Sequence, residues 1–277
     1  MIPSVLQPPT VARLQRSRRW SSPLRVLPDF LIIGAQKAGT TSLFHSLGNH
    51  PAIVPALEKE PHFFDYNYTR GAGWYRAHFP TVWERARGKF RLTGEATPFY
   101  LFHPHAAWRA AQLVPHAKLI VLLRNPVERA YSQYHHQVRF GLEELSFEQA
   151  IEQEAARLVG EFEKIVADRD YYSFNYQNYS YLARGMYADQ LTRWFKQFPR
   201  EQFLILHSQN FYQDPAREFQ RVLNFLDLPA WEPPEFPKEN EGEYAPMSPD
   251  TRAELVEFFA PHNARLYELL NVDYGWE

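Results

Sequence analysis

The 277 residues predict an α/β protein, a parallel sheet flanked by helices on both faces. Three observations lead there. Short apolar runs at Phe30 to Ile33, around Phe90 to Leu92, at Leu119 to Leu123 and at Phe203 to Leu206 have the length and composition of buried strands. Helical patterns separate them, and that alternation belongs to a parallel sheet covered on both sides. The first run leads straight into Gly34-Ala-Gln-Lys37-Ala-Gly39-Thr40-Thr41-Ser42, a glycine-bounded, P-loop-like turn opening into a helix.

Residues 1–28 stand apart from the predicted single domain at 29–277. They hold Arg13, Arg16, Arg18, Arg19 and Arg25, prolines at 3, 8, 9, 23 and 28, and no acidic residue. Two readings fit this basic arm: attraction to an anionic membrane surface or a targeting role, or loose docking on the domain surface. After the first strand, backbone N–H groups of the turn and the positive end of the following helix dipole form an anion site. A nucleotide triphosphatase loop would place lysine directly after Gly39, where this chain has Thr40. The lysine lies inside the loop, at Lys37, a placement suited to one bridging oxygen of a shorter donor. That mismatch weighs against the alternative of a P-loop nucleotide kinase.

Further along, Ser146-Phe-Glu-Gln149 is a capping box opening a helix to about Val159, and Ser248-Pro249-Asp250 opens the last long helix. Asp168 to Ser180, dense in tyrosine and asparagine with little period, predicts a long surface loop or lid. Pro229 to Pro249 predicts another irregular connection. Tyr187 and Trp194 share a helix face, with Trp194 expected in the core.

Composition narrows the function. Lys+Arg 30 against Asp+Glu 32 leaves a net charge of -2, so no whole-molecule field gathers nucleic acid and anion binding must be local. Without cysteine there is no disulfide, thiolate metal site or cysteine nucleophile, which agrees with a reducing compartment. No apolar run approaches the roughly 18 residues needed to span a bilayer, and the start lacks the apolar core of a signal peptide; the expectation is a cytoplasmic protein of undetermined oligomeric state.

The segment "FLIIGAQKAGTTSL" resembles the 5′-phosphosulfate loop of sulfotransferases that use 3′-phosphoadenosine-5′-phosphosulfate. Arg124-Asn-Pro126-Val-Glu-Arg129-Ala-Tyr-Ser132, after the strand run Lys118 to Leu123, is similar to the family element whose first Arg and Ser hold the donor's 3′-phosphate. Guanidinium forks suit phosphate oxygens, and an arginine at a strand's carboxyl end faces the ligand crevice of such a sheet. Lys59-Glu60-Pro-His62-Phe63-Phe64-Asp65 and Gly94-Glu95-Ala-Thr97-Pro98 resemble elements of the heparan sulfate N- and 3-O-sulfotransferases. So do Arg184-Gly-Met-Tyr187 through Pro199, and Phe258 through Trp276. The resemblance, running from about Pro28 to the end, implies the sulfotransferase fold in a stand-alone, bacterial-type member. It also implies metal-free, in-line transfer of a sulfuryl group from that donor to a hydroxyl or amine of a small-molecule or carbohydrate acceptor. A non-catalytic nucleotide-binding scaffold is the alternative of another class.

By the same resemblance Gln36, Lys37, Ala38, Gly39, Thr40, Thr41 and Ser42 cradle the donor, Arg124 and Ser132 take its 3′-phosphate, and Tyr187 touches its adenosine. Gly242 and Tyr244 belong to the loop closing over it. There the family's Lys-Gly-Arg is Glu241-Gly242-Glu243, so either backbone amides around Gly242, aided by Lys238, replace two cations, or this loop holds the donor weakly. Lys37 supplies the cation at the leaving oxygen. Glu60 is the expected base, with a pKa raised by burial; His62, two residues on in an extended segment, orients it, binds the acceptor or shares the base role. Glu95 is the second carboxylate candidate, expected to fix Lys37 or its loop. Ala96 replaces a lysine that engages the acceptor in 3-O-sulfotransferases.

Overall fold

The structure, a computed structural model, describes residues 9–236 and 244–276. Five strands form one parallel sheet: β1 (Phe30–Gly34), β2 (Ile53–Pro55), β3 (Leu92–Ala96), β4 (Lys118–Leu123) and β5 (Phe203–His207), in the order β2-β3-β1-β4-β5. From β1 the chain builds outward through β2 and β3 on one side, then crosses to β4 and β5 on the other. The strand order therefore switches at β1 and β4, and an open parallel sheet binds its ligand at the carboxyl ends beside such a switch.

The central strands are the apolar runs expected. β1 is wholly buried, and in β4 only Lys118 reaches the surface. The third strand lies later than its apolar signal around Phe90 to Leu92. Leu-Thr-Gly-Glu-Ala is not an apolar run, yet Thr93 to Ala96 are buried because specific contacts suit them there. Gly94 sits in register with Phe30, whose ring would be 2.4 Å from an added Cβ. Thr93 donates its hydroxyl to the Val54 carbonyl at 2.5 Å. β2, only three residues long at the sheet edge, carries no periodic signal.

Helices Thr40–Gly48, Pro126–Arg139, Tyr187–Phe195 and Pro215–Phe225 bury one face each. Trp194, fully buried, donates its indole N–H to the Tyr100 carbonyl at 3.3 Å. The Ser146 capping box forms as expected and starts the helix Phe147–Leu158. Pro249 begins the helix Pro249–Leu270, although the Ser248 side chain makes no cap bond.

Asp168 to Ser180 is a surface loop only at its start, where Asp168, Arg169 and Asp170 are exposed in irregular backbone. Ser173 caps a short helix, Phe174–Asn178, and Tyr176 stacks on Phe102 with ring centroids 4.3 Å apart. Tyr176, Asn178 and Ser180 are buried, so aromatic packing accounts for the second half of this segment. The connection from 229 to 248 has no regular structure where it is described, as expected. In the arm, the helix Pro9–Arg18 is followed by the 3₁₀ helix Arg19–Leu24. Arg25, buried, donates to the Phe79 carbonyl at 2.7 Å, and Gln15 Nε2 lies 3.1 Å from His78 Nε2.

Candidate active site

A cleft of about 1010 Å³ opens at the carboxyl ends of β1, β4 and β5. Sequence segments far apart meet in it because each strand ends there. β1 delivers Gln36, Lys37, Gly39, Thr40 and Thr41; β4 delivers Arg124 and, along the next helix, Glu128, Ser132 and His136; β5 delivers His207, Ser208 and Tyr212. Lys59, Glu60, Pro98 and Tyr244 close the remaining sides. Glu128, Ser132 and His136 are spaced by four, which stacks them along one helix face.

The phosphate-type loop requires its glycine. Gly39 has φ 99, in the left-handed region, and a Cβ there would lie 2.9 Å from the Tyr212 hydroxyl oxygen. Lys37 also has a left-handed φ, 69, which favours glycine, while its carbonyl accepts from Arg124 Nη1 at 3.0 Å. Arg124 thus grips the loop while lining the cleft, and its own carbonyl accepts from the Tyr187 hydroxyl at 2.8 Å. Burial, then the positive charges of Arg139, Arg124 and Lys59, push the Lys37 ammonium down to about 8. Glu60 and Glu128 offset Lys59 and Arg124 in part, at 2.6 and 4.0 Å, and Lys37 with the loop amides adds positive character suited to an anion. Burial, with Lys37 and Arg139 nearby, similarly pushes His136 down to about 4.

Glu60 and His62 meet, but not through an extended segment. Both have left-handed backbones, φ 65 and φ 50, and the tight turn brings His62 Nε2 to 3.3 Å from Glu60 Oε2. Glu60 N–H donates to the Ala96 carbonyl at 3.1 Å, pinning the turn to the end of β3. His62 Nδ1 lies 2.7 Å from Asp65 Oδ2, and the Asp65 side chain is fully buried. A Glu60-His62-Asp65 relay results, with Lys59 Nζ at 2.6 Å from the other oxygen of Glu60. Burial does not raise the Glu60 carboxyl as expected. Burial opposes ionisation, but Lys59 and His62 together outweigh it and hold Glu60 well below the usual carboxylate range. Burial likewise works against His62, yet Asp65 and Glu60 raise it to about 10, so the imidazole is protonated at neutral pH.

Other expected residues have different positions. Glu95 is fully buried and has no bond to Lys37 or its loop: it accepts from Tyr75 at 2.7 Å, Thr97 at 2.6 Å and Tyr100 at 2.9 Å. Burial, opposed by these donors, raises it to about 7. Tyr187 is buried beneath Arg124 and does not line the cleft, so its contact is with the protein backbone. Ala38 and Ser42 are buried behind the loop and do not line the cleft either. Gly242, with Lys238, Glu241 and Glu243, lies outside the described residues; Tyr244 lines the cleft and stacks on His135 at 4.1 Å.

Sequence reading missed the buried Arg184 as a loop support. Its Nη1 donates to Gln36 Oε1 and its guanidinium lies 4.6 Å from the Phe99 ring centre. It also missed His136 and the His207–Tyr212 wall. The four-residue spacing from Ser132 marks His136 on the same face; nothing local marks Tyr212, which enters through β5. Among the described residues no helix is long and apolar enough to cross a membrane, and no three His, Cys, Asp or Glu side chains group to hold a metal ion.

Comparison with known proteins places this geometry. A family model described as "Sulfotransferase domain" matches residues 27–240. Human heparan sulfate glucosamine 3-O-sulfotransferase 6 is 31% identical over 91% of this chain and 74% of its own. Membrane-associated sulfotransferase kil1 of Dictyostelium discoideum is 28% identical over 92% of this chain and 67% of its own. A crystal structure of a sulfotransferase from Alicyclobacillus acidocaldarius superimposes with a TM-score of 0.68, at 34% identity over 90% of this chain and 97% of that one.

Proposed function

This chain belongs to the sulfotransferase family, and from that premise we propose that it takes the sulfuryl group from 3′-phosphoadenosine-5′-phosphosulfate and transfers it to a hydroxyl or amine of a carbohydrate or similar small acceptor. One observation carries the donor reading: Lys37, Arg124 and Ser132, from two separate strand ends, face a single cleft. Their chemistry fits a ligand with phosphate at both ends, since the β1 loop offers amides and an ammonium and the β4 helix a guanidinium and a hydroxyl. Relatives acting on heparan sulfate glucosamine support a carbohydrate acceptor. The kinase alternative has no support, because Thr40 stands where its loop lysine would be.

When bound, the donor supplies an electrophilic sulfuryl group on a phosphate leaving group. Lys37 neutralises charge at the β1 loop, and Arg124 with Ser132 hold the far phosphate. Glu60 receives the proton that the acceptor hydroxyl gives up as its oxygen joins sulfur. His62, already protonated, orients Glu60 and cannot take that proton, while buried Asp65 keeps the imidazolium in place. A carboxylate held this low is a modest base, so its contribution comes from position more than from proton affinity.

The test is thermal stabilisation by ligands. Product 3′,5′-diphosphoadenosine should raise the midpoint much more than 5′-AMP or ATP with Mg²⁺. Equal shifts for all three would remove the 3′-phosphate assignment. Labelled donor screened against sugars, phenols and lipid alcohols then identifies the acceptor class.

A further inference from the structure

The N-terminal arm presents an outer face that the catalytic reading leaves unused. Trp20 is 94% exposed and Trp83 61% exposed; what sets them apart from singly exposed apolar side chains is that they come from adjoining segments. The antiparallel bridge between Arg25 and Thr81 sets Leu24 across from Val82, both exposed, with Trp20 in the 3₁₀ helix ending at Leu24 and Trp83 next to Val82. The arm's helix is anchored at Gln15, beside His78, and turns Arg13 and Arg16 outward; Arg19 is exposed next to Trp20.

Charge selects the occupant. Residues 1–28 contain no Asp or Glu. Glu84, the carboxylate nearest the patch along the chain, is turned back into the capping box, its Oε2 accepting from Thr81 N–H and hydroxyl at 2.8 Å each. Exposed indoles beside uncompensated arginines match the headgroup layer of an anionic bilayer, where amphipathic rings and cations are both favoured. A protein partner of ordinary surface would match the apolar area and leave the arginines unpaired.

We propose that this face docks the protein peripherally on an anionic lipid surface, with Trp20, Leu24, Val82 and Trp83 entering the headgroup region and Arg13, Arg16 and Arg19 pairing with lipid phosphates. The arm packs on His78, whose Nε2 also pairs with Glu58 at 2.9 Å, two residues before Glu60. Through His78 the arm is therefore joined to the segment that carries Lys59 and Glu60 into the cleft.

Co-sedimentation of the full chain with vesicles tests this. Phosphatidylcholine vesicles containing about one third phosphatidylglycerol should bind the protein, pure phosphatidylcholine far less, and binding should fall as salt rises. Replacing Arg13, Arg16 and Arg19 by Gln should weaken binding about fivefold per arginine. Trp20→Ser with Trp83→Ser should weaken it at least tenfold, while stabilisation by 3′,5′-diphosphoadenosine stays as in the wild type and shows that the fold and cleft are intact. Equal binding to neutral and anionic vesicles, or none to either, would overturn the proposal. A concentration-dependent dimer that Trp20→Ser abolishes, without vesicle binding, would overturn it in favour of a second copy.

Discussion

Glu60 and His62 form a couple whose protonation is set by immediate neighbours. Lys59 and His62 lower the carboxyl, and Asp65 raises the imidazole, so at neutral pH the pair is carboxylate and imidazolium. Glu60→Gln preserves shape and removes proton acceptance; turnover should fall roughly 10²–10⁴-fold with donor affinity little changed. His62→Ala should lose less, because it costs orientation alone, and steady-state rates of the two variants compare the roles directly. A His62 variant slower than the Glu60 variant would reverse them. Lys37 provides a second test. Its ammonium, depressed to about 8, is charged below that pH and loses its charge above it, so affinity for 3′,5′-diphosphoadenosine should drop as pH rises through about 8. Calorimetric titration across that range checks this, and Lys37→Arg should move the drop well upward.

Within the elements, buried polar groups set the placement of the site. Arg124 holds the Lys37 carbonyl and its own carbonyl accepts from Tyr187, so Arg124→Ala removes a loop support together with the proposed phosphate ligand. Donor affinity should fall by about 1.5–3 kcal/mol. Glu95 holds β3, Tyr75 and Tyr100 together beneath Glu60's turn. Its folded pKa of about 7 lies above the ordinary 4.5, so its stabilisation is complete below about pH 4.5 and is lost as pH rises through about 7. Urea midpoints of wild type and Glu95→Gln should therefore converge from acid to neutral pH. β3 was hard to find in the sequence for the same reason: its buried positions are Thr93, Gly94 and Glu95, satisfied by partners elsewhere in the chain and invisible to an apolar-run criterion. The Phe174–Asn178 segment was misread because tyrosine and asparagine signal loops only when their rings and amides face water.

For the whole molecule, the sheet order brings the ends of β1 and β4, the two proposed anion-binding elements, side by side. Trp194, fully buried in the main core, links the Tyr187–Phe195 helix to Tyr100. Trp194→Ala should destabilise the fold by about 3–5 kcal/mol, read from denaturant unfolding, and loosen both walls of the cleft together.

The sequence by itself determined the fold class and the family, and it marked most of the β1-loop and β4-helix residues that line the cleft, because apolar runs, a glycine-bounded turn and the Arg124 to Ser132 element are contiguous and their spacing is readable. Tertiary structure decided what each carboxylate does. Glu60 and Glu95 read alike as acidic residues in family motifs, but one sits in a left-handed turn between a lysine and an imidazolium, the other in a dry pocket of hydroxyls. Protonation state follows from the three-dimensional surroundings: for Glu60 a tight turn folds Lys59 and His62 of its own segment onto the carboxylate, and for Glu95 the deciding hydroxyls include Tyr75, which lies far away along the chain.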